Sequence, residues 1–340
     1  MSKIKVGVIG MGMMGNTHLD VYAQRPDVEI LALSDINPDR LSGKARVGGN
    51  IEGQAQGAFN LQTVRRYDEG MKLIADPDVE LVDICLPTPL HADFASAALQ
   101  AGKHVLVEKP FARTARDADR LVAAARKAKT RLMCAMCMRF WPGWTWLKEA
   151  VAQKTYGPVR AAHFRRVASH PGGAFYSNGK LSGGAILDLH IHDSDFIQYT
   201  FGLPKSVRSL GYKKQTSAID HVITHYDYGP RGPMITAEGG WAMAPGYGFT
   251  MQYTVNFQKA TAVFDLAAKD PLTLYQDGKS SAVPLPAGMG YQHEIDYFLT
   301  CIAQGRKPTI VTLESAAASV RLIEAEVKSI TLGKSVKMGA

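Results

Sequence analysis

Cysteine is scarce: the 340-residue chain holds four (Cys85, Cys134, Cys137 and Cys301), too few for a disulfide framework at this size. Cys134-Ala-Met-Cys137 has the spacing of a metal or redox pair, yet it lies in the apolar run 132–138, which reads as a buried strand. Residues three apart on a strand face opposite sides, and no second Cys/His pair follows at metal spacing. Neither a metal nor redox thiol chemistry is expected there. Long apolar runs are missing too, since none approaches the roughly 18 residues of a membrane span. Val6-Gly-Val-Ile9 is interrupted by glycine and followed by polar Asn16-Thr-His18, with no small-residue cleavage site, which does not suit a signal peptide. The expectation is a cytoplasmic chain with no membrane partner. No internal repeat and no basic stripe is present. The net charge is +8, but Lys and Arg are scattered, and Arg65-Arg66, Arg165-Arg166 and Lys213-Lys214 are short clusters without interleaved aromatics. Solvated faces account for most of them and an anionic cofactor or substrate for others, so no nucleic-acid partner is expected.

What is present is an ordinary globular composition, 46% hydrophobic and 21% charged, over a length that suits two domains. The first third alternates strand and helix signals: strands at 4–9, 28–34, 81–86, 105–107 and 131–138, helices at 14–24, 91–100 and 114–127. Such βαβ alternation implies a parallel sheet covered on both faces. The Gly-, Gln- and Asn-rich stretch 43–62 reads as a mobile surface insertion. After Trp141-Pro142 the pattern changes. A helix at 144–153, a strand at 159–168, a Gly-rich loop at 171–184 and a helix at 185–201 precede five alternating segments between 206 and 266. Those segments read as one largely antiparallel sheet, and helices at 292–304 and 313–332 close the chain. The predicted division is an α/β dinucleotide-binding domain over 1–138 and a second α/β domain over 139–340.

Gly10-Met-Gly12-Met-Met-Gly15 follows the first predicted strand and opens the first helix, the context that a G-x-G-x-x-G turn requires. Gly10 permits the tight turn, Gly12 lets the backbone approach a pyrophosphate, and Gly15 allows close helix–sheet packing. Met13 and Met14 complete that cradle at a helix N-terminus, whose unpaired N–H groups suit phosphate. Asp35 ends the second strand about 20 residues further on, placed to bind the adenine ribose. Its charge disfavours a 2′-phosphate, so NAD is expected, with nearby Arg40 leaving NADP open. Leu86-Pro87-Thr88-Pro89-Leu90-His91 ends another strand on the ligand side, so Pro87, Thr88 and His91 are candidate walls for the nicotinamide half. A plain strand-to-helix turn is the alternative.

Glu108-Lys109-Pro110 also ends a strand on that side. Glu108 is a candidate cofactor contact. Lys109 leaves an apolar Val-Leu-Val strand beside a cationic nicotinamide, which would lower its pKa and suit proton exchange with a reacting oxygen. A snorkelling surface lysine is the bland alternative. Asp188 and His192 are four apart and would share one face of an otherwise apolar helix. An acid and an imidazole buried there are costly unless they pair or serve a site. His190 lies on another face, and Asp195 is read as a structural residue of the helix.

These residues resemble the glucose–fructose oxidoreductase / inositol dehydrogenase (Gfo/Idh/MocA) family. The likeness runs through Gly10–Gly15, Asp35, Pro87-Thr88 with His91, Ala101-Gly-Lys-His-Val-Leu-Val-Glu-Lys-Pro110, Arg139-Phe140 and 183–195. It implies a Rossmann domain followed by an α/β domain whose open, mostly antiparallel sheet packs on another subunit to give homodimers or homotetramers. It also implies catalysis by Lys109, Asp188 and His192 on sugars, cyclitols or their derivatives. The chain departs from the family pattern at His190 (often Gly), at Thr88 (commonly Asn) and in the longer 43–62 insertion.

The expected function is NAD(P)-dependent hydride transfer between nicotinamide and a hydroxyl or carbonyl of a sugar-like substrate. Arg139, Arg165, His170, Tyr176 and His190 are candidate donors to substrate hydroxyls. Three other readings compete: a regulator that binds NAD and sugar without turnover, a glycosidase using bound NAD, and a metal-dependent hydrolase suggested by His190-Ile-His192. The last would need that motif on the first strand of a barrel, whereas here it follows a dinucleotide domain.

Overall fold

In a computed structural model, residues 3–45 and 62–339 are described. The insertion expected at 43–62 falls almost wholly outside them. The chain forms two compact units, one of Met1–Cys137 with Gly290–Ala317, the other of Met138–Met289 with Ala318–Ala340. The sequence divides the chain once; the structure also returns 290–317 to the first unit.

The first unit carries six parallel strands: β1 Ile4–Ile9, β2 Val28–Ser34, β3 Arg65–Tyr67, β4 Leu81–Ile84, β5 His104–Glu108 and β6 Leu132–Ala135. Their spatial order is β3-β2-β1-β4-β5-β6, so the sheet winds outward in both directions from between β1 and β4. Ligands bind at the carboxyl ends of strands at such a switch point. Val6, Val8, Leu33, Leu81, Val82, Val105, Leu106 and Val107 are fully buried, as expected for strands covered on both faces. The helix Ala115–Lys127 begins at Thr114, whose hydroxyl accepts the Asp117 N–H, and ends on Arg126 and Lys127. Both features match the helix dipole and its unpaired termini. The returning helix Gly290–Ala303 buries Ile295, Phe298 and Leu299. It packs on β6 and on the helix Met13–Ala23.

The second unit is built on nine strands: β7 Val159–Ser169, β8 Ser206–Tyr212, β9 His221–Asp227, β10 Met234–Met243, β11 Phe249–Phe257, β12 Thr261–Asp265, β13 Leu272–Gln276, β14 Lys279–Ala282 and β15 Val336–Lys337. The order is β14-β13-β12-β11-β7-β10-β9-β8-β15. Only the β7–β10 pair is parallel; the other pairs are antiparallel. Alternation along these strands gives the sheet two unlike faces. One buries Val207, Val222, Tyr226, Ile235, Ala237, Phe164 and Tyr253 beneath helices. The other presents Leu210, Ile223 and Met234 to solvent. On the covered side Trp144 meets Phe196 edge-on at 4.8 Å and Tyr253 at 5.4 Å. Burying an indole of this kind stabilises by about 4–6 kcal/mol as an upper bound.

Two expected elements differ. The strand expected over 131–138 stops at Ala135 and becomes a 3-10 turn, Cys137–Phe140, so Cys134 and Cys137 do not share a strand. The helix expected over 185–201 is two helices, Gly184–Asp188 and Ile191–Phe201. At the break the His190 N–H donates to the Ala185 carbonyl at 2.8 Å, five residues back rather than four. A widened turn of that kind is common at functional positions, and apolar periodicity does not reveal it.

Candidate active site

The glycine turn comes first. Gly10 adopts φ of +95°, and a side chain there would also strike the Cys85 carbonyl. A Cβ on Gly15 would collide with the Gly10 carbonyl oxygen. Around Gly12, by contrast, an added Cβ would meet nothing within 4 Å. Gly12 caps the helix Met13–Ala23 without a side-chain hydrogen bond, and no acidic residue sits in the first turn. Among the described residues, the N-terminus of this 11-residue helix thus has neither a side-chain cap nor an acid in its first turn, an arrangement that suits a pyrophosphate. Asn16, which the motif does not specify, pins the turn by donating to the Met11 and Gly12 carbonyls.

Asp35 is 6% exposed and accepts the Met11 N–H at 2.7 Å and the Asn37 N–H at 2.8 Å. The residue expected to hold the ribose thus also shapes the glycine turn. Arg40 Nη1 lies 3.5 Å from its carboxylate. Pro87 starts a short 3-10 turn, Thr88–Leu90, in which Thr88 is buried. His91 is buried as well, with Nδ1 2.7 Å from the Pro110 carbonyl and Nε2 2.7 Å from the Leu86 carbonyl. Burial lowers its pKa although both carbonyls favour the protonated ring. Its ring ties the loop after β4 to the loop after β5.

Lys109 follows β5 at its carboxyl end and is half-buried. The Glu108 carboxylate points inward: Oε2 accepts the Lys109 N–H at 2.9 Å, and Oε1 lies 3.2 Å from His18 Nε2. Behind it sits a buried polar cluster absent from the sequence reading. His18 Nδ1 is 2.8 Å from Asp83 Oδ2, the same oxygen that accepts the Tyr22 hydroxyl at 2.8 Å. Burial alone would lower the His18 pKa, but Asp83 and Cys85 outweigh it and hold it well above the usual range. Glu294, from the returning helix, is fully buried with both oxygens unpartnered. Burial and the Glu108 charge push its carboxyl well above the ordinary value. An acidic side chain inside the apolar β4 segment Leu81-Val-Asp-Ile84 was the one sequence signal for this cluster; Glu294 is too distant in the chain to give any.

In the second unit Asp188 and His192 stay partly exposed while their neighbours His190, Asp193, Ser194 and Asp195 are buried. Asp193 pairs with Arg166 at 2.8 Å, and Asp195 takes two bonds from Arg139 at 2.9 and 2.7 Å. His192 therefore projects from a helical turn anchored by two buried ion pairs. Three further candidates take defined places. Arg139 is 2% exposed, with its guanidinium bonded to Asp195 and stacked over Tyr199. Arg165 joins Glu238 at 2.8 Å on the open face of the sheet, opposite the face that the helices cover. His190 fills the interior, fully buried, with Nε2 3.1 Å from Glu326 and 3.3 Å from the Tyr226 hydroxyl. His190-Ile-His192 spans a helix break rather than a strand, which removes the hydrolase motif. His170 and Tyr176 remain near the covered face, where both rings stand edge-on to Trp241 at 5.5 and 5.9 Å. Trp241, held by its N–H to Asp220, went unnoticed in the sequence because it reads as ordinary strand core.

Among the described residues, the His/Cys/Asp/Glu groups close enough to share a metal ion are His18–Asp83–Cys85 and His18–Glu108–Glu294. Neither includes Asp188 or His192.

Two family models match this architecture: residues 4–136 fit the oxidoreductase family with an NAD-binding Rossmann fold, and 144–263 fit the C-terminal domain of the same family. The chain belongs to the Gfo/Idh/MocA family. A myo-inositol 2-dehydrogenase of Thermotoga maritima is 32% identical over 201 residues, covering 58% of this chain and 55% of that protein. The chain thus matches little more than half the length of that relative. A trans-1,2-dihydrobenzene-1,2-diol dehydrogenase of Bos taurus is 29% identical over 267 residues, covering 74% and 78%. A levoglucosan dehydrogenase solved with NADH and levoglucosan superposes with a TM-score of 0.85 at 20% identity over 99% and 100% of the two chains, a likeness of fold. As a Gfo/Idh/MocA protein, the chain carries its NAD-binding features where the family model lies.

Proposed function

We propose that the protein is an NAD-dependent dehydrogenase acting on a secondary or anomeric hydroxyl of a sugar, cyclitol or derivative. The observation that carries the reading is the open space at Gly12 on an uncapped helix N-terminus, with Lys109 at a strand end of the same sheet. Relatives named for a cyclitol and a ring diol support the substrate class. The cradle of Gly10, Gly12, Met13, Met14 and Gly15 holds the pyrophosphate, and Asp35 binds the ribose and disfavours NADP. Bound NAD supplies the hydride acceptor. Lys109 donates to the reacting oxygen and stabilises its developing negative charge. His192 takes the hydroxyl proton as general base, and Asp188 orients His192 or the substrate. The roles reverse for reduction. His170 and Tyr176 bind substrate hydroxyls beside Trp241.

The subunits are proposed to associate as a homodimer or homotetramer through the open sheet face, where Leu210, Ile223 and Met234 are exposed. A cytoplasmic setting suits four cysteines that form no disulfide. A polyol and aldose panel followed at 340 nm with NAD and NADP tests reaction, cofactor and substrate class together. In that assay Lys109→Ala should bind NADH normally and lose turnover. Unchanged kcat in that variant rejects the assignment of Lys109.

A further inference from the structure

The cluster behind β5 has no part in hydride transfer itself, yet it touches the residue that does. Four ionisable side chains, His18, Asp83, Glu108 and Glu294, come together without solvent in the first unit. Buried charges of this kind are costly unless each is paired, so the arrangement needs a reason. It reaches the strand end through the Glu108 carboxylate, whose Oε2 accepts the Lys109 N–H.

We propose that His18 and Glu294 are positioning residues for Lys109: they hold the Glu108 carboxylate in place, and Glu108 in turn fixes the backbone from which the lysine side chain departs. The inference rests on the reading of Lys109 as the group that holds the reacting oxygen. His18 Nδ1 is engaged by Asp83 at 2.8 Å, and the Tyr22 hydroxyl on the same oxygen restrains that carboxylate. The imidazole is thereby oriented, and its Nε2 reaches Glu108 Oε1 at 3.2 Å, out of line for a hydrogen bond but within ion-pair distance. Glu294 brings a second carboxyl to the same place: its oxygen, a His18 ring nitrogen and a Glu108 oxygen lie within 4.8 Å of one another. Both Glu294 oxygens are otherwise unpartnered. A neutral Glu294 packs beside Glu108 without adding charge, while an anionic one would repel it, and its raised pKa favours the neutral form. The same three ligand atoms could suit a divalent cation, but an imidazolium between Asp83 and Glu108 already supplies the positive charge.

Two replacements at position 18 separate the contacts. Glutamine reaches as far as Nε2 and keeps a donor for Glu108, whereas asparagine reaches only as far as Nδ1 and keeps the contact with Asp83. With folding and NADH binding checked first, His18→Gln should retain kcat within about threefold, whereas His18→Asn should lose about thirtyfold or more, with KM for both substrates nearly unchanged. A structural role acting through Asp83 gives the opposite ranking, and equal kcat values, or a loss confined to the KM for NAD, overturn the proposal. Should the His18 variants fail to fold, Glu294→Gln, which mimics the neutral acid, must keep kcat while Glu294→Leu lowers it. Equal values there also overturn it, as does one tightly bound metal ion per chain that Glu294→Gln abolishes. If the wild type turns over no substrate, the dehydrogenase reading fails instead. Lys109 order is then read from its NMR resonance after 13C-dimethylation, assigned with Lys109→Arg, which should shift in His18→Asn and not in His18→Gln. Identical resonances in the two variants reject the positioning role.

Discussion

Arg139 grips Asp195 with two parallel hydrogen bonds, 2.9 and 2.7 Å long, in a place where neither side chain is more than 1% exposed. The pair ties the turn before the helix Pro142–Ala152 to the first turns of the helix Ile191–Phe201, which carries His192. Arg139→Met should leave an uncompensated buried carboxylate and cost about 3–5 kcal/mol in urea unfolding. The double variant Arg139→Met/Asp195→Leu should recover most of that loss. If the single and double variants are equally unstable, packing rather than charge is what the arginine supplies.

The glycine turn makes a paired prediction. Gly12→Ala adds a methyl to open space, so its melting temperature should match the wild type. If a pyrophosphate lies there, NADH affinity should nonetheless fall about tenfold or more, a loss of at least about 1.4 kcal/mol. Gly15→Ala meets the Gly10 carbonyl and should destabilise the fold with or without cofactor. Normal NADH binding by Gly12→Ala would remove the pyrophosphate from that position.

Much of this is legible in the sequence, because glycine turns and buried parallel strands follow from local chemistry. Gly10, Gly12 and Gly15 each have their own steric requirement, and strand apolarity placed Lys109 at a strand end. The helix break at 189–190 was not legible, since one widened turn leaves apolar spacing nearly unchanged. The partners of Arg139 and Arg165 were not legible, because a lone arginine in sequence does not reveal its carboxylate, 56 residues away for Arg139 and 73 for Arg165. Glu294 meets Glu108 only because the chain returns to the first unit, and no periodicity records that return.

Asp35 sets the cofactor preference by charge. Asp35→Ser should shift the kcat/KM ratio toward NADPH by about tenfold or more, since a like-charge clash with a 2′-phosphate disappears and Arg40 loses its partner. It should also raise the KM for NAD, because the Met11 and Asn37 amides lose their acceptor. Unaltered preference would assign discrimination to another residue.

The first unit should lose stability as pH rises, and the sign follows from two groups. Glu294 has a folded pKa well above 4.5, so the native state keeps a proton that the unfolded chain releases. His18, raised well above 6.5, contributes stability that is complete below that value and is lost as pH passes its folded pKa. Glu294→Gln removes the first of these, so its unfolding free energy should fall less than the wild type's between pH 5 and pH 8, measured by urea titration. Parallel pH curves would mean that Glu294 is ionised in the native protein.

The helix Gly290–Ala303 has a consequence for biosynthesis. Because it seals the surface of the strands and helix made first, a ribosome that has completed β6 has not yet supplied the piece that finishes that unit. Residue 137 is therefore a poor place to truncate. The nascent chain must keep an apolar flank waiting while the whole nine-stranded sheet is synthesised, and only then can the opening domain lock.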